Sequence, residues 1–184
     1  GIRALNNDNE NINICKNNIK GGGIFLASNN GNGSYITENI IVKPVGVGIY
    51  INGNKIKEVS RNRIIGVGNN IGIDIIASDV LVANNFVQTE GLGSATGIKI
   101  SNGRSNIKLV FNSVNVTNTN VTDVRALQVL GGSNLLIKNN IFANNGSGYA
   151  ATISNDLTNS DIDYNNYYSS GINLFNFKGV NYSK

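Results

Sequence analysis

Seven six-residue stretches decide how this chain is read: ICKNNI at 14–19, ITENII at 36–41, VSRNRI at 59–64, LVANNF at 81–86, LVFNSV at 109–114, LIKNNI at 136–141 and IDYNNY at 162–167. Each is apolar-x-x-Asn-x-apolar, with Asn17, Asn39, Asn62, Asn84, Asn112, Asn139 and Asn165 at the repeated position. A second pattern, small-apolar-x-apolar, follows each copy and starts at Gly23, Gly48, Gly72, Gly97, Ala126, Ala150 and Gly171. Self-similarity at a spacing of 22 to 28 residues is the mark of a repeat architecture.

Working outward from those stretches, four apolar positions per repeat should point to one interior, because β side chains alternate between faces. Of these 28 positions, 25 are Ile, Leu or Val. Chance placement of the same composition gives roughly 8, so the pattern specifies a core. The repeat length, the short β segments and the Gly and Asn corners predict an all-β fold, a right-handed single-stranded parallel β-helix of about seven coils. A leucine-rich repeat would need a Leu-x-x-Leu-x-Leu frame, which is missing. Gly1 with Ile2 and Ala4 reads as an eighth copy lacking its first half. Residues 1–184 are therefore expected to form one β-helix domain cut from a longer chain at both ends, in contact with flanking domains. The repeated Asn is expected to stack at one corner, where its amide can satisfy turn backbone groups and its counterparts above and below.

Composition narrows the chemistry. The 184 residues include 36 Asn, 22 Gly, one Cys, one Pro and no His, Met or Trp. Without His, the chain cannot supply Ser-His-Asp or Cys-His catalysis or most zinc sites. One Cys excludes an internal disulfide. The net charge of +4 is spread along the chain without a basic run, which argues against nucleic acid as partner. No apolar run approaches the ~18 residues of a membrane span.

The segments LIKNNIF at 136–142, VSRNRII at 59–65 and DIDYNNYYSS at 161–170 resemble right-handed parallel β-helix repeat proteins of the pectate-lyase-like superfamily, especially secreted and surface β-helix proteins of Bacteroidetes-type bacteria. The resemblance spans nearly the whole chain and is one of structural repeat, with no catalytic motif in it. It implies a secreted or cell-surface location. For members that are enzymes it implies cleavage of acidic polysaccharide, with carboxylates holding Ca2+ and an Arg or Lys taking the proton.

Stacking the repeats shows where such chemistry could sit. One outward column reads Arg3, Phe25, Tyr50, Asp74, Lys99, Gln128, Thr152, Asn173. Within it Tyr50, Asp74, Lys99 and Gln128 form an aromatic, an acid, a base and an amide in line, suited to holding a sugar chain or, more simply, to making a solvated sheet face. Glu38 falls between Lys16 and Arg61 in the column before the Asn. The segments between the two motifs lengthen in coils four and five, at Gln88–Thr96 and Thr117–Arg125, and should bulge from one edge; they carry Glu90, Asp123 and Arg125. Asp74, Lys99, Asp123 and Arg125 are the only catalytic candidates. No metal set is evident, and Ca2+ enters only with the lyase reading. Cys15 is expected on a strand surface, in a column with Thr37, Ser60, Val82, Val110, Ile137 and Asp163. The expectation is thus a structural or adhesive module binding polysaccharide or cell-surface glycan, with a polysaccharide lyase or glycoside hydrolase as the alternative.

Overall fold

Each Asn-centred stretch contains a corner, so a repeat has three strands where the two sequence motifs suggested two. Residues five apart, such as Ile14 and Ile19, would point to opposite faces of one straight strand. Both are buried because the chain turns between them: Lys16, Glu38, Arg61, Asn84, Phe111, Asn139 and Tyr164 all sit at φ between 55° and 59°. The structure is a computed structural model that describes residues 1–6, 11–28, 33–54, 56–119 and 123–183.

The described residues form a parallel β-solenoid of about six turns, without a helix. Sheet A stacks nine strands, Ile2–Asn6, Ile24–Ser28, Ile49–Gly53, Ile71–Ala77, Ala95–Ile100, Val124–Val129, Tyr149–Ile153, Asn173–Phe177 and Val180–Ser183. Sheet B stacks seven, from Asn13–Cys15 to Asp161–Asp163, and sheet C seven, from Asn18–Lys20 to Asn166–Ser169. Every pairing is parallel except the last in sheet A, where Val180–Ser183 turns back antiparallel on Asn173–Phe177. A small sheet D joins Arg104–Ser105, Gly132–Ser133 and Leu157–Thr158 in the longer coils.

The interior is filled by in-register columns such as Ile24, Ile49, Ile73, Ile98 and Leu127, each at most 1% exposed. At about 1.5–3 kcal/mol per buried aliphatic side chain, these columns are the main driving force for coil stacking. Gly97 marks how close the walls come: a Cβ there would lie 2.2 Å from Val114 Cγ1 and 2.6 Å from the Ala126 carbonyl oxygen.

The Asn ladder is present, with two changes of member. Asn17, Asn39, Asn62, Asn112 and Asn165 stand where the repeat predicts, but the buried residues of the other two coils are Asn85 and Asn140, not Asn84 and Asn139. Leu81-Val82-Ala83-Asn84-Asn85-Phe86-Val87 fits the motif in two frames one residue apart. The structure takes the frame with Val82, Asn85 and Val87 inside. The same shift puts Ile137, Asn140 and Phe142 inside. Asn84 and Asn139 instead take the left-handed corner, which Asn tolerates better than most residues. The Cys15 column is corrected by the same slip: Cys15 is exposed, and its line runs through Thr37, Ser60, Ala83, Val110, Lys138 and Asp163.

The inner ladder amides, Asn39 to Asn140, are used in full. Asn112 Oδ1 accepts from both the backbone N–H and the side-chain amide of Asn85, at 3.0 Å each, and Asn112 Nδ2 donates to Asn140 Oδ1 and to the Val82 carbonyl. Buried polar groups of this kind are tolerated only when so paired.

Candidate functional site

The outward column of sheet A exists as expected over most of its length. Arg3, Phe25, Tyr50, Asp74, Lys99, Gln128 and Thr152 are successive register partners. The last member is Asn176, not Asn173. Ile172 is 86% exposed, and Phe175 takes the inward position instead, where its ring meets Tyr167 edge-on at 5.7 Å.

The strip has two kinds of surface. At one end, Phe25 and Tyr50 stack with centroids 4.4 Å apart and planes 6° from parallel, and the Arg3 guanidinium lies 5.1 Å over Phe25. Both faces of Phe25 are thus taken. An apolar groove of about 460 Å³ opens here, lined by Phe25, Tyr50, Val45 and Val47 among others. Toward the middle, Lys99 Nζ stands 3.8 Å from Asp74 Oδ2. Asp74 is 6% exposed, and its other oxygen, Oδ1, has no hydrogen-bond partner among the described residues. Burial pushes the Asp74 carboxyl above its ordinary value of 3.8, while Lys99 pulls it back in part.

Gln128 belongs both to the strip and to a polar groove of about 300 Å³ shared with Asn69, Thr96, Asp123 and Arg125. Asp123 is exposed and pairs with a terminal nitrogen of Arg125, whose side chain is only 12% exposed. Arg125 Nε is buried without a partner among the described residues, as is Thr152 Oγ1. Burial also lowers the Arg125 pKa from its ordinary range.

The two long segments do meet at one edge. Asn118 is fully buried and ties them together: its amide donates to the Gly93 carbonyl at 3.2 Å, and its Oδ1 accepts from Thr89 Oγ1 at 2.7 Å. Asn69 Oδ1 accepts from the Gly93 N–H at 2.7 Å. Residues 120–122 of the second segment lie outside the described residues. Glu90, the third charge on these segments, is exposed and is not part of the groove.

The catalytic candidates therefore form two separate ion pairs, Asp74 with Lys99 and Asp123 with Arg125, and only the second lines the groove. Sequence reasoning missed Asn69, Thr96 and Asn118. Thr96 and Arg125 are register partners, and Ile71 and Tyr149 continue that line on either side. A second stack drawn through the long segments would have found them. Glu38 does stand between Lys16 at 3.9 Å and Arg61 at 3.4 Å, as the column predicted. No group of three or more His, Cys, Asp or Glu able to hold a metal occurs among the described residues. No helix in the described residues is long and apolar enough to cross a membrane.

The fold and this face define the class: a parallel β-solenoid with one polar sheet face bordered by two grooves. No protein-family model matches the sequence, and neither the curated proteins nor the solved structures contain a match to it. The comparisons give no support to a likeness to pectate-lyase-like proteins; what stands is the parallel β-solenoid of about six turns.

Proposed function

We propose that the chain is a β-helix module of a secreted or cell-surface protein, structural or adhesive in role, that binds a glycan chain across the outer face of sheet A. One observation carries this reading. Tyr50, Asp74, Lys99 and Gln128 lie on four consecutive strands in register, and Gln128 opens beside them into the groove lined by Asn69, Thr96, Asp123 and Arg125. Sugar hydroxyls both donate and accept, which suits a strip mixing carboxylate, guanidinium, amide and hydroxyl groups.

Binding is favoured over lyase chemistry because Lys99 and Arg125, the two candidate bases, are each held against a carboxylate. The test is affinity electrophoresis of the chain in gels containing soluble polysaccharides, with Tyr50→Ala and Gln128→Ala beside it. Removing a central contact should weaken binding at least about tenfold, equivalent to about 1.4 kcal/mol. Retention unchanged in both variants would place the ligand, if one binds, on another face.

A further inference from the structure

We propose that the glycan held by this face is neutral, and not a uronate-rich or sulfated chain; the inference rests on the glycan-binding reading above and narrows it. The basis is the charge balance of the face. Between Tyr50 and Thr152 the strip and its groove carry two bases, Lys99 and Arg125, and two acids, Asp74 and Asp123, and each base is paired with an acid. Glu90 on the neighbouring segment adds an acid, and the Lys43 side chain approaches the same glycine, Gly66, from its other side. Farther along, Lys178 is paired with Asp156, and Arg3 is stacked on Phe25 at the opposite end.

Most of the described cations without an acid partner lie on other faces. Lys20 and Arg63 are on sheet C strands, and Lys57 and Lys108 on sheet B strands. A surface that collects a polyanion concentrates unpaired cations where the ligand lies. This face does the opposite. Asp74 is 6% exposed, so what the strip offers a ligand at this point is a lysine already held 3.8 Å from a carboxylate, a weak lure for a polyanion. The hydroxyls of an uncharged sugar, which donate and accept, match the Gln128 amide and the Tyr50 hydroxyl, groups that carry no charge.

The experiment is affinity electrophoresis of the chain against galactomannan, xyloglucan and mixed-linkage glucan on one side and polygalacturonate and alginate on the other, at about 20 and about 300 mM NaCl, which span weak and strong screening. The expected result is retardation by at least one neutral polymer, with a Kd that changes less than about twofold between the two salts. Binding of an acidic polymer as tight as any neutral one, falling tenfold or more with salt on the order expected for charge pairing, overturns the inference and leaves the glycan reading standing. Failure of every polymer of both classes to retard the chain removes the glycan reading itself. Asp123→Asn, at a side chain 68% exposed, supplies a second arm, with urea unfolding run beside it to check that the fold is kept. It frees Arg125, so polygalacturonate affinity should rise at least about fivefold at low salt and return to its starting level at high salt. No gain in that variant would show that pairing does not set the charge preference of the groove.

Discussion

The Asn ladder and the strip on sheet A are both columns of polar side chains stacked in register along the same solenoid, yet they differ in what they do with their hydrogen bonds. In the ladder from Asn39 to Asn140 every amide donates to the next coil and to a backbone carbonyl, and every side-chain oxygen accepts twice. In the strip the partners run out: Asp74 and Thr152 each keep a polar atom with no acceptor or donor opposite. Identical residues make a closed chain of bonds, whereas a run of Tyr, Asp, Lys, Gln and Thr cannot repeat one bond from coil to coil. Repetition of one residue type thus marks the scaffold, and variation within a column marks the surface open to a partner.

The largest expected effect comes from cutting the closed column. Asn112→Ala removes the acceptor of two Asn85 donors and two donors to Asn140 and Val82. Leaving several buried groups unpaired should cost about 2–4 kcal/mol in urea unfolding, given about 1–3 kcal/mol for each unsatisfied group and partial relaxation. Asn84→Ala, at the exposed corner one residue before the ladder, should cost no more than about 1 kcal/mol, the penalty for a left-handed residue losing its Asn. Equal costs at the two sites would erase the distinction between ladder and corner.

That pair of mutants also locates where the sequence was ambiguous. Five ladder positions were legible because the apolar flanks fit one frame only: Asn17 and Asn165 are each followed by a second Asn, but the shifted frame there would put Lys20 or Asp163 inside. At Asn84-Asn85 and Asn139-Asn140 both the Asn and its apolar flanks are doubled, so hydrophobic spacing alone cannot choose. The deciding factor is backbone geometry, since one member of each pair must adopt positive φ. The sheet A column was legible through Thr152 because Gly or Ala followed by alternating aliphatics fixes the register, and it failed at Asn173, where Phe175 displaced the pattern. The groove was only half legible. Its charged members stand out in a chain this poor in charge, but Asn69 and Asn118 are two among 36 Asn, and their positions depend on how long segments fold back.

Asn118 lies between the two regimes, since it is a closed hydrogen-bond hub that shapes the open groove. Asn118→Ala should lower stability by about 1–3 kcal/mol, from the buried Thr89 hydroxyl and the Gly93 carbonyl left without their partner. Hydrogen exchange at Gly93 should rise by more than exchange at Asn85, because the damage is confined to the segments at the groove. A uniform rise along the solenoid would mean that the groove and the ladder unfold as one unit.

Asp74 gives a smaller effect with a defined sign. Its folded-state pKa is raised above 3.8 by burial, so the native state holds its proton to higher pH than the unfolded chain does. Stability contributed by protonated Asp74 is then present below 3.8 and is lost as pH rises from there through the folded value. Asp74→Asn should abolish that decline in urea titrations run at a series of pH values, while the ladder mutants keep it. A wild-type curve that instead gains stability over the same window, with the gain missing in Asp74→Asn, would mean that Lys99 outweighs burial and that the strip is closed after all.

The smallest effect is expected where a column is polar, stacked and fully exposed to water. Glu38 faces Lys16 at 3.9 Å and Arg61 at 3.4 Å, with side chains 41% to 74% exposed. It has partners, as the ladder does, but water competes for every one of them, and salt screens what remains. Glu38→Gln should therefore change stability by less than about 0.5 kcal/mol, even though it breaks two ion pairs at once. Set against Asn112→Ala, the comparison separates the number of bonds from their burial. If Glu38→Gln proved as costly as the ladder mutant, stacking in register would itself be the source of stability, and the contrast between closed and open columns would lose its physical basis.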